Sequence, residues 1–136
     1  MDIIQIEKDI IVMCVTANSF PNGVLASHQK LHSLIPYSTE RKYFGISRPE
    51  SNGGIVYRAA AEVLDQGEAE KLNLQTVTLK KGKYISALLA DYMKDLPAIG
   101  NAFQQMIVRP DIDPDAYCVE WYVSDKDVQC MVRLAD

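Results

Sequence analysis

The sequence predicts an α+β domain built from two βαββ modules, and three observations lead there. Short β-rich runs bounded by turn residues share the chain with two stretches of helical periodicity. The order strand, helix, hairpin occurs twice. The strand Tyr117-Cys118-Val119-Glu120-Trp121-Tyr122-Val123 alternates strictly, so its residues split between two faces. The repeat lies in element order and hydrophobic pattern, because residue identity between the halves is faint. Two such modules, about 9–64 and 75–135 within a single domain spanning 1–136, are expected to be related by an approximate two-fold. Both helices would then lie on one face of antiparallel sheet, with a ligand cleft where the modules meet.

Taken in order, Ile10 to Val15 is apolar and β-rich and reads as a strand continuing to about Ala17. Pro21 suits a first helical turn, with Ser19 upstream as a cap, and Val24, Leu25, Leu31, Leu34 and Ile35 supply a helical stripe that Pro36 ends. Lys42 to Ser47 and Ile55 to Val63 form a hairpin around the turn-rich Arg48–Gly54. Asp65 to Leu72 is charged and holds a short helical turn. The second cycle opens with Gln75 to Leu79, a turn over Lys80–Gly82, and the strand Tyr84 to Leu89. Asp95 caps a second helix with Pro97 in its first turn, and Ile99, Ala102, Phe103, Met106 and Ile107 are its apolar stripe. Tyr117–Val123 and Val128–Leu134 then form a hairpin across Ser124-Asp125-Lys126-Asp127. The first nine residues have an apolar run broken by charge, so they are neither a signal peptide nor a membrane span.

Composition narrows function. The 136 residues are 48% hydrophobic and 24% charged, an ordinary globular balance able to bury a real core. The formal net charge is -4 and no basic stripe is present, which argues against direct nucleic-acid binding. Cys14, Cys118 and Cys130 form no CxxC pair and fall in predicted strands, where reduced cysteines act as small hydrophobes. A cytoplasmic location is the default expectation, with no membrane association.

The candidate residues follow from the alternating strand. One face carries Tyr117, Val119, Trp121 and Val123 and is the expected core face; the other carries Cys118, Glu120 and Tyr122. A carboxylate held between a thiol and a phenol, if desolvated and unpaired, raises its pKa and is relieved by a cation. Tyr43, Tyr57, Tyr84, Tyr92 and Tyr122 all fall on or beside predicted strands. Together around Glu120 they would make an aromatic cage, each cation–π contact worth about 0.5–2 kcal/mol. Taken singly, each is also what a half-buried strand tyrosine looks like. Trp121 and Phe103 belong to the core by strand and helix phase.

Other patterns carry less. His28 and His32 share a helix face, but Gln29 stands where the general-base Glu of a zinc-protease pair is needed, so no metal is expected. Asp111, Asp113 and Asp115 alternate, yet Pro114 and the missing glycine do not suit a calcium loop. Gly53-Gly54 lacks the Lys-Ser/Thr of a phosphate-binding loop, and no GxSxG occurs. No cofactor is expected.

Several of these segments together resemble the GyrI-like (gyrase-inhibitor-like) small-molecule-binding domains, including the effector-binding domains of AraC-type and MerR-type regulators. Gly82-Lys83-Tyr84-Ile85-Ser86 resembles the family's glycine turn and following strand, Asp95 to Met106 its long second helix, and Glu120-Trp121-Tyr122 its Glu-x-Tyr. Tyr43-Phe44-Gly45-Ile46-Ser47 and Tyr57-Arg58-Ala59-Ala60-Ala61 resemble the first hairpin. Where members often carry Gly-Pro-aromatic before the second helix, this chain has Ala90-Asp91-Tyr92, which keeps the aromatic and adds a charge. The resemblance implies a ligand-cleft role for Glu120, and a stand-alone domain that binds or sequesters a small cationic, amphipathic molecule. It also implies two alternatives. One is hydrolysis of reactive small molecules with Glu120 as general acid/base; the other is inhibition of a protein partner of gyrase type.

Overall fold

Every strand expected from the sequence is present, and one more is added. In a computed structural model describing residues 1–136, the elements run β1 (Asp2–Ile6), β2 (Ile10–Thr16), α1 (Val24–Leu34), β3 (Tyr43–Pro49), β4 (Ile55–Glu62), α2 (Glu68–Lys71), β5 (Gln75–Leu79), β6 (Gly82–Leu89), α3 (Pro97–Ile107), β7 (Cys118–Tyr122) and β8 (Val128–Arg133). The unexpected strand is β1. Its charges do not disqualify it because it pairs on one side only, with β6, leaving Asp2, Ile3 and Gln5 exposed. All strand pairs are antiparallel, which makes the chain α+β. The chain divides into two units, Ile10–Leu79 and Met1–Asp9 with Lys80–Asp136.

In the Ile10–Leu79 unit the strands lie in the order β3-β4-β2-β5. The sequence groups Gln75–Leu79 with the second cycle, but β5 pairs with β2 (Val12 opposite Val77). Helix α1 packs on β4 and β2. It starts at Val24 rather than Pro21, because residues 19–24 close a turn in which the Gly23 N–H bonds to Ser19 O (3.1 Å) and the Val24 N–H to Pro21 O (3.1 Å). A Cβ on Gly23 would lie 2.8 Å from Ser19 O, so this turn needs glycine. Val12, Met13, Leu31, Phe44, Ile46 and the run Ala59–Ala61 are fully buried.

In the other unit the order is β1-β6-β8-β7, and α3 packs on β8 and β6. Pro97 occupies the first helical position as expected, while Leu96 rather than Asp95 is the cap residue. Ala102, Phe103 and Met106 of α3 bury against Ile85, Val128, Cys130 and Val132 of the sheet. Ile107, expected in the same stripe, is exposed. Arg133 ties the end of β8 to the acidic loop and the C-terminus through Asp113 (3.0 Å) and Asp136 (2.9 Å). Asp111 is paired with Arg109 (2.8 Å). No helix is long and apolar enough to cross a membrane.

Candidate functional site

Strand register places Glu120. Cys118, Glu120 and Tyr122 of β7 lie opposite Val132, Cys130 and Val128 of β8, which lie opposite Ile85, Ala87 and Leu89 of β6. All nine side chains share one face, since paired residues in an antiparallel ladder point the same way. This is the face that α3 covers, with Cys118 and Tyr122 packed against the cluster around Phe103 and Met106. The reading of Tyr117, Val119, Trp121 and Val123 as the one core face is therefore corrected. The Glu120 face is itself apolar and helix-covered, while Val119 on the other face is also buried. Tyr117 and Val123 fall outside β7, and Val123 is exposed.

Glu120 is thus a carboxyl set among apolar groups. Its hydrogen-bond partner is Tyr122, whose hydroxyl donates to Glu120 Oε1 at 2.8 Å. No lysine or arginine forms an ion pair with it. Burial raises its pKa from 4.5 to about 7, and the Tyr122 hydrogen bond offsets part of that rise. The Tyr92 ring lies 5.9 Å from that of Tyr122 at 40°. Tyr92 is fixed by its N–H to Lys126 O (3.0 Å), just after Asp91, which adopts a left-handed conformation (φ 50°). Its phenol is pushed upward by burial and then by the Glu120 charge. The neighbouring thiols respond alike: Cys118 rises to about 11 and Cys130 to about 12, first through burial and then through Glu120. Neither is a thiolate at neutral pH.

Of the six predicted residues, the structure brings Glu120, Tyr122 and Tyr92 together. Tyr84 does not join them. It lies opposite Arg133, three residues along β8 from Cys130, so it occupies the other sheet face, and its hydroxyl donates to Lys80 O at 2.6 Å. Tyr57 and Tyr43 belong to the Ile10–Leu79 unit. Tyr57 is buried with its hydroxyl 2.8 Å from His28 Nε2 and its ring stacked on Phe20 (5.9 Å, 27°). Tyr43 stacks on Tyr37 (5.2 Å, 14°), tilts against His32 (5.1 Å) and accepts the Ser38 N–H at 2.8 Å. The His28 and His32 spacing thus presents two imidazoles to two strand tyrosines. Burial lowers the His28 pKa to about 4, with His32 adding to the effect.

Sequence reasoning missed one half-buried charge pair. Arg41 binds Glu68 with both terminal nitrogens (2.8 and 2.7 Å) and donates to Glu62 O at 2.6 Å. Glu40-Arg41-Lys42 looks like solvated charge in the sequence; only the fold brings α2 to it. A hollow of about 340 Å3 adjoins the pair, walled by Leu34, Ile35, Pro36 and Leu72 among others, and none of the predicted site residues lines it.

No family model matches the chain, and no curated protein matches it in sequence. Solved structures share its fold. An integron cassette protein from the mobile metagenome of Vibrio cholerae superposes with a TM-score of 0.68 at 14% identity, over 98% of this chain and 94% of its own. A protein solved in complex with tetraphenylphosphonium gives 0.68 at 11% identity, over 98% and 92%. A Staphylococcus aureus MU50 protein assigned provisionally to bacterial transcription regulation gives 0.62 at 11% identity, over 99% and 97%. At these identities the likeness is one of fold.

Proposed function

We propose that this chain is a non-catalytic, GyrI-like binder of a small, amphipathic organic cation, with Glu120 as counter-ion and Tyr122 and Tyr92 as its aromatic contacts. The observation that carries this is a carboxyl among apolar neighbours with a phenol, and no basic residue, as its partner. Such a group resists ionising because the anion has lost its water. A cation brought alongside restores the missing charge partner, so the affinity it gains is largest where the apo site is most penalised. Rings at the same spot add cation–π attraction and an apolar wall. A fold-mate that holds tetraphenylphosphonium, a bulky lipophilic cation, supports the same ligand class. The raised thiol pKa values favour binding over nucleophilic turnover.

Calorimetric titration with tetraphenylphosphonium tests this, beside triphenylphosphine oxide as a neutral compound of comparable bulk. With ionisation centred at about pH 7, affinity for the cation should rise up to about tenfold per pH unit below that point and level off above it. Glu120→Gln should weaken cation binding at least about tenfold at pH 8 and flatten the profile. The neutral compound should respond to neither change. Equal cation binding by wild type and Glu120→Gln would defeat the proposal.

A further inference from the structure

On the face of the Ile10–Leu79 sheet turned away from α1 sits a cation with no counter-charge. Tyr57 meets His28 of α1, so Arg58, the next residue of β4, projects from the opposite face. Register sets it in a row between Thr16 of β2 and Ile46 of β3. Its charge reaches Cys14 on the same face: burial pushes that thiol up to about 12, and Arg58 pulls against the rise. Arg58 is half-buried and takes part in none of the ion pairs. Its Nε is buried without an acceptor.

The surroundings of Arg58 on that face are rich in donors and poor in acids. Across β2, β3, β4 and β5 the one acid on this face is Glu62, and Lys42 already holds it at 3.7 Å. Arg48, opposite Val56, places a second guanidinium one row along from Arg58. Thr16 adds an exposed hydroxyl. Because the Ala17 N–H bonds to Tyr57 O, Thr16 and Arg58 form a non-hydrogen-bonded pair, the kind whose side chains lie closest. Fully buried Ile46 on the other side gives the Arg58 stem an apolar bed.

We propose that Arg58, with Thr16 as a second donor, is a binding site for a small organic oxyanion, a carboxylate or a phosphate monoester. Both head groups offer two anionic oxygens side by side, which match the parallel N–H groups of a guanidinium. The Thr16 hydroxyl donates a further bond, and Arg48 adds attraction through its charge. An arginine fully in water gains little from an anion, because water already serves it. Arg58 has lost part of that water and received no acceptor in exchange, so an anion supplies what the fold leaves out. The chemistry is the inverse of that proposed for Glu120, and it rests on different residues in the other unit.

Nuclear magnetic resonance titration of the full chain tests it, following the Arg58 side-chain Nε–H signal and the backbone amides of residues 14–17 and 56–60. Benzoate and phenyl phosphate, each added at constant ionic strength, should shift these signals saturably with a Kd of about 1 mM or below. The tighter of the two identifies the preferred head group. Chloride and the neutral benzyl alcohol should leave the signals in place. Arg58→Gln should abolish binding. Arg58→Lys keeps the charge but loses the paired donors, and should weaken binding at least about fivefold; it decides the matter should the glutamine variant fail to fold. Thr16→Val should weaken binding about threefold. The proposal is overturned if neither anion moves the Arg58 signal by about 20 mM, or if benzyl alcohol moves it equally. It is also overturned if Arg58→Lys or Thr16→Val binds as wild type does.

Discussion

Each unit sets one glutamate against its surroundings, and the two are displaced in opposite directions. Glu68, in the Ile10–Leu79 unit, receives both terminal nitrogens of Arg41 and the Leu64 N–H. The Arg41 hydrogen bonds hold its pKa at about 2. Glu120, in the other unit, has one phenol for company and rises to about 7. Burial is the larger influence on Glu120, the Arg41 hydrogen bonds the larger one on Glu68, so depth and partner together separate them. A carboxylate whose charge is answered by an arginine is structural. One left with a weak donor stores an unfavourable charge that a ligand can relieve, which is why the second is the candidate site.

This contrast makes the acids respond oppositely to pH. A pKa lowered by folding adds stability that is complete above the unfolded value of 4.5 and disappears as pH falls toward 2. A raised one leaves stability intact below 4.5 and removes it as pH climbs through 7. The largest effect is expected from breaking the paired acid. Glu68→Gln leaves Arg41, whose side chain is 10% exposed and whose Nε already lacks an acceptor, without its counter-charge. We expect a loss of about 3 kcal/mol at neutral pH, shrinking toward nothing near pH 2, measured by urea unfolding across the pH range.

Glu120→Gln should do the reverse. Above pH 7 it removes a charge the fold opposes, and unfolding free energy should rise by about 2 kcal/mol. Below about 4.5, where wild type is already protonated, the two proteins should match. A variant less stable than wild type at pH 8 would mean that Glu120 has found a favourable partner after all. A smaller effect is expected from Tyr57→Phe, which deprives His28 of its 2.8 Å hydroxyl partner. The cost should be about 1 kcal/mol, read as a lower midpoint in urea unfolding.

How much of this was legible in the sequence divides along the same line. Period-two and helical patterns identify the strands and both long helices, because those periods are fixed by backbone geometry. Glu120 stands out because alternation alone puts an acid amid thiol, phenol and apolar residues. Three features were not legible, each for a physical reason. The helix-covered nature of the Glu120 face depends on where α3 lands, which a strand pattern does not record. Tyr84 shares the composition of the other tyrosines, and only its register opposite Arg133 sends it to the far face. The Arg41–Glu68 pair joins residues far apart in sequence, and a charged triplet before a strand looks the same whether solvated or clasped.

The smallest expected effect is also the sharpest probe of the site. The Tyr122 hydroxyl is the one group found to pull the Glu120 pKa down. Tyr122→Phe keeps the ring, and with it the cation–π contact and the packing against Tyr92, but removes that donor. The carboxyl should then ionise at higher pH. The midpoint of the cation-affinity profile should move up by less than about one pH unit, which corresponds to about 1 kcal/mol, while the plateau affinity well above the midpoint changes little. A phenol that only shapes the wall would give another result, a uniform loss of affinity at every pH with the midpoint fixed. Titrating cation binding for wild type and Tyr122→Phe over the same pH series separates the two, because one displaces the curve along the pH axis and the other lowers it.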